Sequence, residues 1–389
     1  MSSAYGTEMT AVPCTIMRGG TSKAVFLPES AVPSGEAERA QFLLALMGSP
    51  DPRQIDGLGG ADLLTSKVAI VGAPSVPGAD IDYTFAQVGT HTAQVHFDML
   101  CGNISAAVGV YAIEKGLVAA VEPWTQVRIY NHNTRTVLLS DVPVVAGHAA
   151  VEGDLAIDGV PGTGARVRMD YRLTAGSTTG RLLPTGNVQD RLQVDGIGTV
   201  TVSIVDIANL CFMVRAEELG LDPARLPSAP DEEALRRTDL LQRAVARHVG
   251  VPEGRLTPIP ILVAAPHQYP LVVGTGEVSA DAMDIAAQVN GGQPLTLHKA
   301  FPGAASVTLA VGARIPGTVA YEVARPAQDA LLRIGHPSGR MEVEVEVRVA
   351  GREIEIVRAG YLRTARLLLD GTTYLRAARL TPGVGARVS

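Results

Sequence analysis

Two stretches of this chain, 201 residues apart, carry one pattern. Residues 102–118 read GNISAAVGVYAIEKGLV and residues 303–319 read GAASVTLAVGARIPGTV, and they align without a gap. Ser105 meets Ser306, and Gly116 meets Gly317. Each copy starts after a loop and runs to a glycine, as a helix does. Ala, Gly and Ser lie on every side of it, so no solvated stripe exists. Such a helix must be enclosed around its whole circumference, and small side chains let the enclosing strands come close. A doubled segment of this kind predicts an α+β chain of two similar lobes, each a barrel-like β-sheet wrapped around a central helix. The boundary falls near 185. Residues 1–185 form the first lobe and 186–389 the second, with the last strand free to pack on the first. The competing view is that two Ala-rich segments match by chance.

The remainder reads as the strands of that shell. Residues 68–71 are a continuous apolar run, which predicts a buried strand. Residues 200–205 (VTVSIV) are rich in β-branched side chains. Residues 341–349 (MEVEVEVRV) alternate strictly and predict a strand with one wet face. Helical spacing occurs at 36–46 and 231–248. Aromatics are only 4 % of the chain, so the core falls to Val, Leu, Ile and Ala.

Charge and cysteine usage exclude several classes. A net charge of −6 with no basic run argues against nucleic acid. No apolar stretch approaches the roughly 20 residues that span a bilayer. Residues 1–12 lack the basic and apolar regions of a signal peptide. Three cysteines, Cys14, Cys101 and Cys211, make no disulfide framework and no CxxC. The expectation is a cytoplasmic protein in a reducing compartment. His91, His96 and Asp98 lack the spacing of a metal site, and no metal is expected. No GxSxG, Walker A or dinucleotide fingerprint occurs. His267 and His336, each beside a proline, read as structural. Cys14 and Cys211 lie in apolar runs and read as inert.

Basic residues are almost all Arg; the only lysines are Lys23, Lys67, Lys115 and Lys299. Guanidinium stays charged, whereas a desolvated lysine can lose its proton and act as a base near neutral pH. Lys67 follows a turn-rich loop (IDGLGG, 55–60) and precedes the apolar run 68–71, which places its stem on a buried strand. Lys115 reads as an exposed helix end. A general bias towards Arg would equally leave four lysines scattered. Cys101 falls at the start of the first repeated helix, where unsatisfied N–H groups and the macrodipole favour a thiolate and bind carboxylate oxygens. Gly102 permits close approach and Asn103 adds an amide. Offset by 201, Cys101 corresponds to Pro302, so a symmetric pair of thiols is excluded and Lys67 becomes the second proton carrier.

At this point a resemblance is evident. MRGGTSKAVFL (17–27), DPRQIDGLGGADLLTSKVAIV (51–71), CGNISAAVG (101–109), VRIYNHNT (127–134), LLPTGN (182–187), VDIAN (205–209), HKA (298–300), ARIPGT (313–318) and RIGHPSGRMEVEV (333–345) together resemble the 2-methylaconitate isomerase family. That family also holds 4-oxalomesaconate and 3-methylitaconate isomerases and shares the diaminopimelate epimerase-like fold. The resemblance spans residues 14 to 380.

The resemblance implies cofactor-independent proton transfer on an unsaturated di- or tricarboxylate bound between the lobes. Its catalytic pair matches Lys67 and Cys101. Its substrate cleft matches Arg18, Gly19, Gly20, Thr21 and Ser22. Gly102, Asn103, His298, Lys299 and Gly303 complete the expected binding set, with Arg18 and His298 or Lys299 opposite it holding carboxylates. Members of the family often carry a Thr-Gly-Ala-type run before the second helix, whereas residues 301–305 here are FPGAA, and Pro302 removes one N–H. The expected partner is a small polycarboxylate, with a homodimer as the default assembly. The alternative is a carboxylate-binding protein of the same fold without catalysis. Arg181 is a weaker candidate, equally readable as a surface arginine.

Overall fold

The computed structural model describes residues 8–351 and 353–380, and the backbone of 387–388. Sixteen strands carry the architecture. They are β1 Met9–Gly19, β2 Ser22–Pro28, β3 Lys67–Gly72, β4 Ile81–Val88, β5 Trp124–Asn131, β6 Thr136–Val145, β7 Val167–Asp170 and β8 Asp190–Val194. Then follow β9 Gly198–Ile207, β10 Asn209–Arg215, β11 Ile259–Ala264, β12 Ile285–Gly291, β13 Leu331–His336, β14 Gly339–Ala350, β15 Glu353–Arg363 and β16 Ala365–Arg376. The helices are α1 Glu36–Met47, α2 Gly102–Glu114, α3 Glu232–Val249, α4 Gly303–Gly312 and a short α5 Val319–Val323. The fold is mixed α+β and dominated by sheet. Among the described residues no helix is long and apolar enough to cross a membrane.

The pairing repeats itself. From β1 to β7 the strands join in the order antiparallel, parallel, antiparallel, parallel, antiparallel, antiparallel. From β9 to β15 the same six steps recur in the same order. A parallel step needs a crossover, and each crossover here holds a helix. Helices α1 and α3 span the first parallel step of each half, and α2 and α4 the second. The halves join where β7 pairs with β15, while β16 returns to pair with β1.

The crossover helices have two characters. α3 is amphipathic: Asp231 caps it through a bond from the Ala234 N–H at 2.8 Å, and Leu241 and Val245 on one side are buried. It covers the outer face of β8–β10, as α1 covers β2 and β3. α2 and α4 are enclosed instead; all of Gly102–Ile113 and all of α4 are buried. α2 touches β1, β2, β3, β5, β6, β7 and β16, whereas α4 touches β9, β10, β11, β14 and β15. The absent side chains permit this. A Cβ on Gly109 would lie 2.8 Å from Ser140 Oγ, and one on Gly312 would lie 2.7 Å from Met213 Sδ.

The second enclosed helix is shorter than its sequence copy. It stops at Gly312, not Gly317, and the chain turns through residues 313–318 before α5. Pro316 cannot continue the helix. Thr318 Oγ donates to the Gly312 carbonyl at 2.7 Å, closing the end that the missing turn would have covered. β14 follows the alternation expected for residues 341–349 only as far as Val345: Met341, Val343 and Val345 face the core, the register shifts between Glu346 and Val347, and Val349 is exposed.

Candidate active site

Lys67 is the first residue of β3 and stands directly opposite Gln87 on β4. Its Nζ donates to Gln87 Oε1 at 2.6 Å. The Gln87 amide in turn donates to the carbonyls of Ser66 (2.9 Å) and Leu63 (3.3 Å), which fixes the way it faces. Lysine therefore meets a neutral acceptor, and nothing in that contact demands an ammonium. The side chain is 5 % exposed, with Nζ 5.3 Å from the Phe85 ring centroid. Burial pulls its pKa below the usual lysine value, with Cys101 and Asp62 opposing. The loop before it is built on buried Gln54, whose amide donates to Ser66 Oγ at 2.7 Å and whose carbonyl accepts the Ala61 N–H at 2.9 Å. A Cβ on Gly59 would strike Gln54 at 2.2 Å, which accounts for one glycine of that loop.

Cys101 occupies the N-cap of α2 and lines one cavity with Lys67, Gln87, Gly102, Asn103 and His298. The cavity encloses about 60 Å³. Asn209, from the other half of the chain, clamps the residue before the cysteine: it accepts the Leu100 N–H at 3.0 Å and donates to the Leu100 carbonyl at 2.9 Å. Asp98 adds a second tie by accepting the Thr257 N–H at 2.9 Å. Neither contact was legible in sequence, because both partners lie more than 100 positions away. By contrast, burial pushes the Cys211 thiol up to about 12 and raises Cys14 as well, as inert core thiols require.

The two enclosed helices meet at their N-termini. A Cβ on Gly102 would lie 2.5 Å from the Ala304 N, and one on Gly303 would lie 3.2 Å from the Gly102 carbonyl carbon. Cys101 and Pro302 hold corresponding positions, since their carbonyls accept the N–H of Ser105 (2.8 Å) and Ser306 (2.9 Å). Neither helix has a side-chain cap. Two buried helix starts thus bring uncapped N–H groups and the positive ends of two dipoles to one place, an arrangement suited to an anion. Tyr361 Oη, 2.8 Å from Tyr171 Oη, stands over both glycines.

The chain matches the model of the PrpF protein family over residues 9–376. It belongs to that family. It is 40 % identical over 380 residues to the 3-methylitaconate isomerase of Eubacterium barkeri, covering 95 % of this chain and 98 % of the relative. It is 39 % identical over 374 residues to the (4E)-oxalomesaconate Delta-isomerase of Novosphingobium sp. (strain KA1), covering 95 % and 98 %. A crystal structure of methylitaconate-delta-isomerase superposes with a TM-score of 0.77 at 38 % identity, covering 98 % of this chain and all of that one. With isomerases of this similarity across nearly its whole length, this PrpF-family chain is itself an isomerase.

The expected binding set does not gather in one place. Lys67, Cys101, Gly102, Asn103 and His298 share the cavity. Burial, followed by the nearby Lys67, pushes His298 down to about 4, so its imidazole is neutral. Arg18 lies apart from that cavity. Its NH1 donates to the Gly20 carbonyl (3.0 Å) and to the Thr364 carbonyl and Oγ (both 2.9 Å), and it does not line the Lys67 cavity. This arginine staples the β1–β2 hairpin to the β15–β16 corner. Gly19 and Gly20 let that hairpin press on α2: their Cβ atoms would each lie 2.3 Å from an Asn103 oxygen, and Gly20 has φ +51°. Thr21 Oγ accepts the Asn103 amide at 3.0 Å, so the Asn103 side chain is already engaged while the residue lines the cavity. Ser22 is buried, with an Oγ that has no hydrogen-bond partner among the described residues. Lys299 is exposed and ion-paired with Asp62, outside the Lys67 cavity. Gly303 serves the helix contact, and Arg181 is exposed.

Proposed function

We propose that this isomerase moves a proton along an allylic system in an unsaturated di- or tricarboxylate of the methylitaconate, oxalomesaconate or methylaconitate type, without a cofactor. The observation that carries the proposal is the pairing of Lys67 and Cys101 on one cavity at the uncapped start of α2. Neutral Lys67 takes a proton from the allylic carbon. The electron pair of that C–H bond moves into the conjugated system, and the double bond shifts by one position. The developing negative charge rests on a carboxylate or carbonyl oxygen facing the Gly102 and Asn103 N–H groups. The Cys101 S–H delivers its proton to the carbon at the far end. Lys67 is then an ammonium and Cys101 a thiolate, and one proton passed from the first to the second, directly or through water, resets the pair.

Names borne by relatives support the substrate class: one is a 3-methylitaconate isomerase and another a (4E)-oxalomesaconate Delta-isomerase. The repeated strand order supports treating residues 1–185 and 186–389 as two lobes of a diaminopimelate epimerase-like fold, with β16 lent back to the first. Lys67→Met and Cys101→Ser should fold yet fail to exchange the allylic hydrogens of methylitaconate with D₂O. Full exchange by Lys67→Met removes lysine from the mechanism. Binding of methylitaconate by the wild-type protein without any exchange favours the non-catalytic alternative.

A further inference from the structure

Arg363, the last residue of β15, is 5 % exposed and lines a cavity of about 410 Å³ separate from the one that Lys67 lines. Its guanidinium has no carboxylate partner among the described residues. Nε donates to Asn103 Oδ1 at 2.9 Å, NH1 to the Leu362 carbonyl at 2.9 Å, and NH2 to the weak acceptor Met341 Sδ at 3.5 Å. Its centre lies 4.4 Å from the Tyr361 ring centroid. Five N–H groups are present and three are engaged, which leaves one on each terminal nitrogen.

A buried cation without a counter-ion is costly, by several kcal/mol even after relaxation. The acids that border the cavity do not neutralise it. Glu342 and Glu344 turn to Arg333 (3.9 Å) and Arg358 (4.0 Å), and Asp158 accepts the Arg340 N–H at 2.6 Å. His336, on the same wall, is 2 % exposed and its Nδ1 accepts the Ser338 N–H at 3.3 Å. Burial, followed by Arg363, pushes His336 down to about 3, so it brings no charge of either sign. Arg340 also lines the cavity without an ion pair among the described residues, but it is exposed, so Arg363 is the buried, uncompensated positive charge of this wall, with spare donors in the fork geometry that fits a carboxylate.

We infer that Arg363 anchors a carboxylate of the substrate, the one remote from the carbons served by Lys67 and Cys101. This rests on the polycarboxylate reading above. Asn103 ties the two regions together: it lines the Lys67 cavity, and its side chain is bonded to both Arg363 and Thr21. The anchor makes the enzyme select di- and tricarboxylates over monocarboxylates.

The test uses tricarballylate, a saturated tricarboxylate that cannot isomerise, and crotonate, an unsaturated monocarboxylate, on wild type, Arg363→Lys and Arg363→Met. Tricarballylate should bind roughly 10- to 100-fold more weakly to both variants by calorimetry, the range for losing a hydrogen-bonded charge. Crotonate binding should stay the same, and the KM for methylitaconate should rise alongside with a smaller change in kcat. Unchanged tricarballylate binding overturns the inference. So does parallel weakening of both acids, which marks a structural lesion, or non-competitive inhibition by tricarballylate. Where both variants fail to fold, a wild-type crystal with tricarballylate decides, by a carboxylate on Arg363 or its absence there. A wild-type protein that binds tricarballylate through Arg363 yet isomerises nothing refutes the proposed reaction and leaves the anchor standing.

Discussion

The Lys67–Gln87 contact offers the sharpest test of the chemistry. Gln87→Glu is isosteric and replaces a neutral acceptor 2.6 Å from Nζ by a carboxylate. At an effective dielectric of about 20, unit charges at that separation attract by roughly 6 kcal/mol. Burying the new carboxylate returns part of this, and opposite charges inside proteins commonly move a pKa by about 1–3 units. The shift is upward for lysine, against the lowering that burial imposes in the wild type. If neutral Lys67 is the base, the acid limb of the exchange rate should move to higher pH by that amount. The rate at a pH on the limb should fall roughly 10- to 1000-fold and recover at high pH. The assay is D₂O exchange into methylitaconate, followed by proton NMR across pH. The introduced carboxylate also turns an oxygen, in place of the Gln87 amide, towards the carbonyls of Ser66 and Leu63, so melting temperatures are measured alongside. An acid limb that stays at its wild-type position refutes the assignment of Lys67 as the titrating base. Loss of rate by one factor at every pH, with a lowered melting temperature, marks damage to the fold instead.

Three further outcomes follow from the geometry. Gly102→Ala puts a Cβ 2.3 Å from Tyr361 Oη and 2.5 Å from the Ala304 N, and this overpacking should cost about 1–3 kcal/mol in urea unfolding. Asn209→Ala strands the buried N–H and carbonyl of Leu100, so it should cost about 2–5 kcal/mol and speed alkylation of Cys101 by iodoacetamide. Acidification should destabilise the protein through His336, whose folded pKa of about 3 lies below its unfolded value of 6.5. In that window the unfolded chain binds the proton and the folded one does not, so stability falls as pH falls, by roughly 2 kcal/mol from pH 6.5 to 4.5 for this group alone. His336→Gln should flatten the slope of the urea midpoint against pH, and an unchanged slope contradicts the buried neutral imidazole.

Local patterns were legible because their physics is local. The all-round small residues of 102–114 required an enclosed helix, the alternation that begins at Met341 required a strand with one core face, and the spacing of 231–248 required α3. The motifs also sufficed for the family, and hence for an isomerase. What escaped the sequence was every partnership across the chain. Asn209 and Leu100 are 109 positions apart, and Arg363 and Asn103 are 260 apart; no periodicity links them. Arg18 looked like a carboxylate ligand because its motif is conspicuous, and only the fold shows that its NH1 is bonded to the Thr364 corner. Lys299 looked like a site residue beside His298, yet the bend that follows His298 leaves it exposed and paired with Asp62. Sequence records which groups can carry charge and which segments can be buried. Only the folded chain decides which charges find partners and which, like Arg363, are left buried without one, since that depends on where strands distant in sequence come to lie side by side.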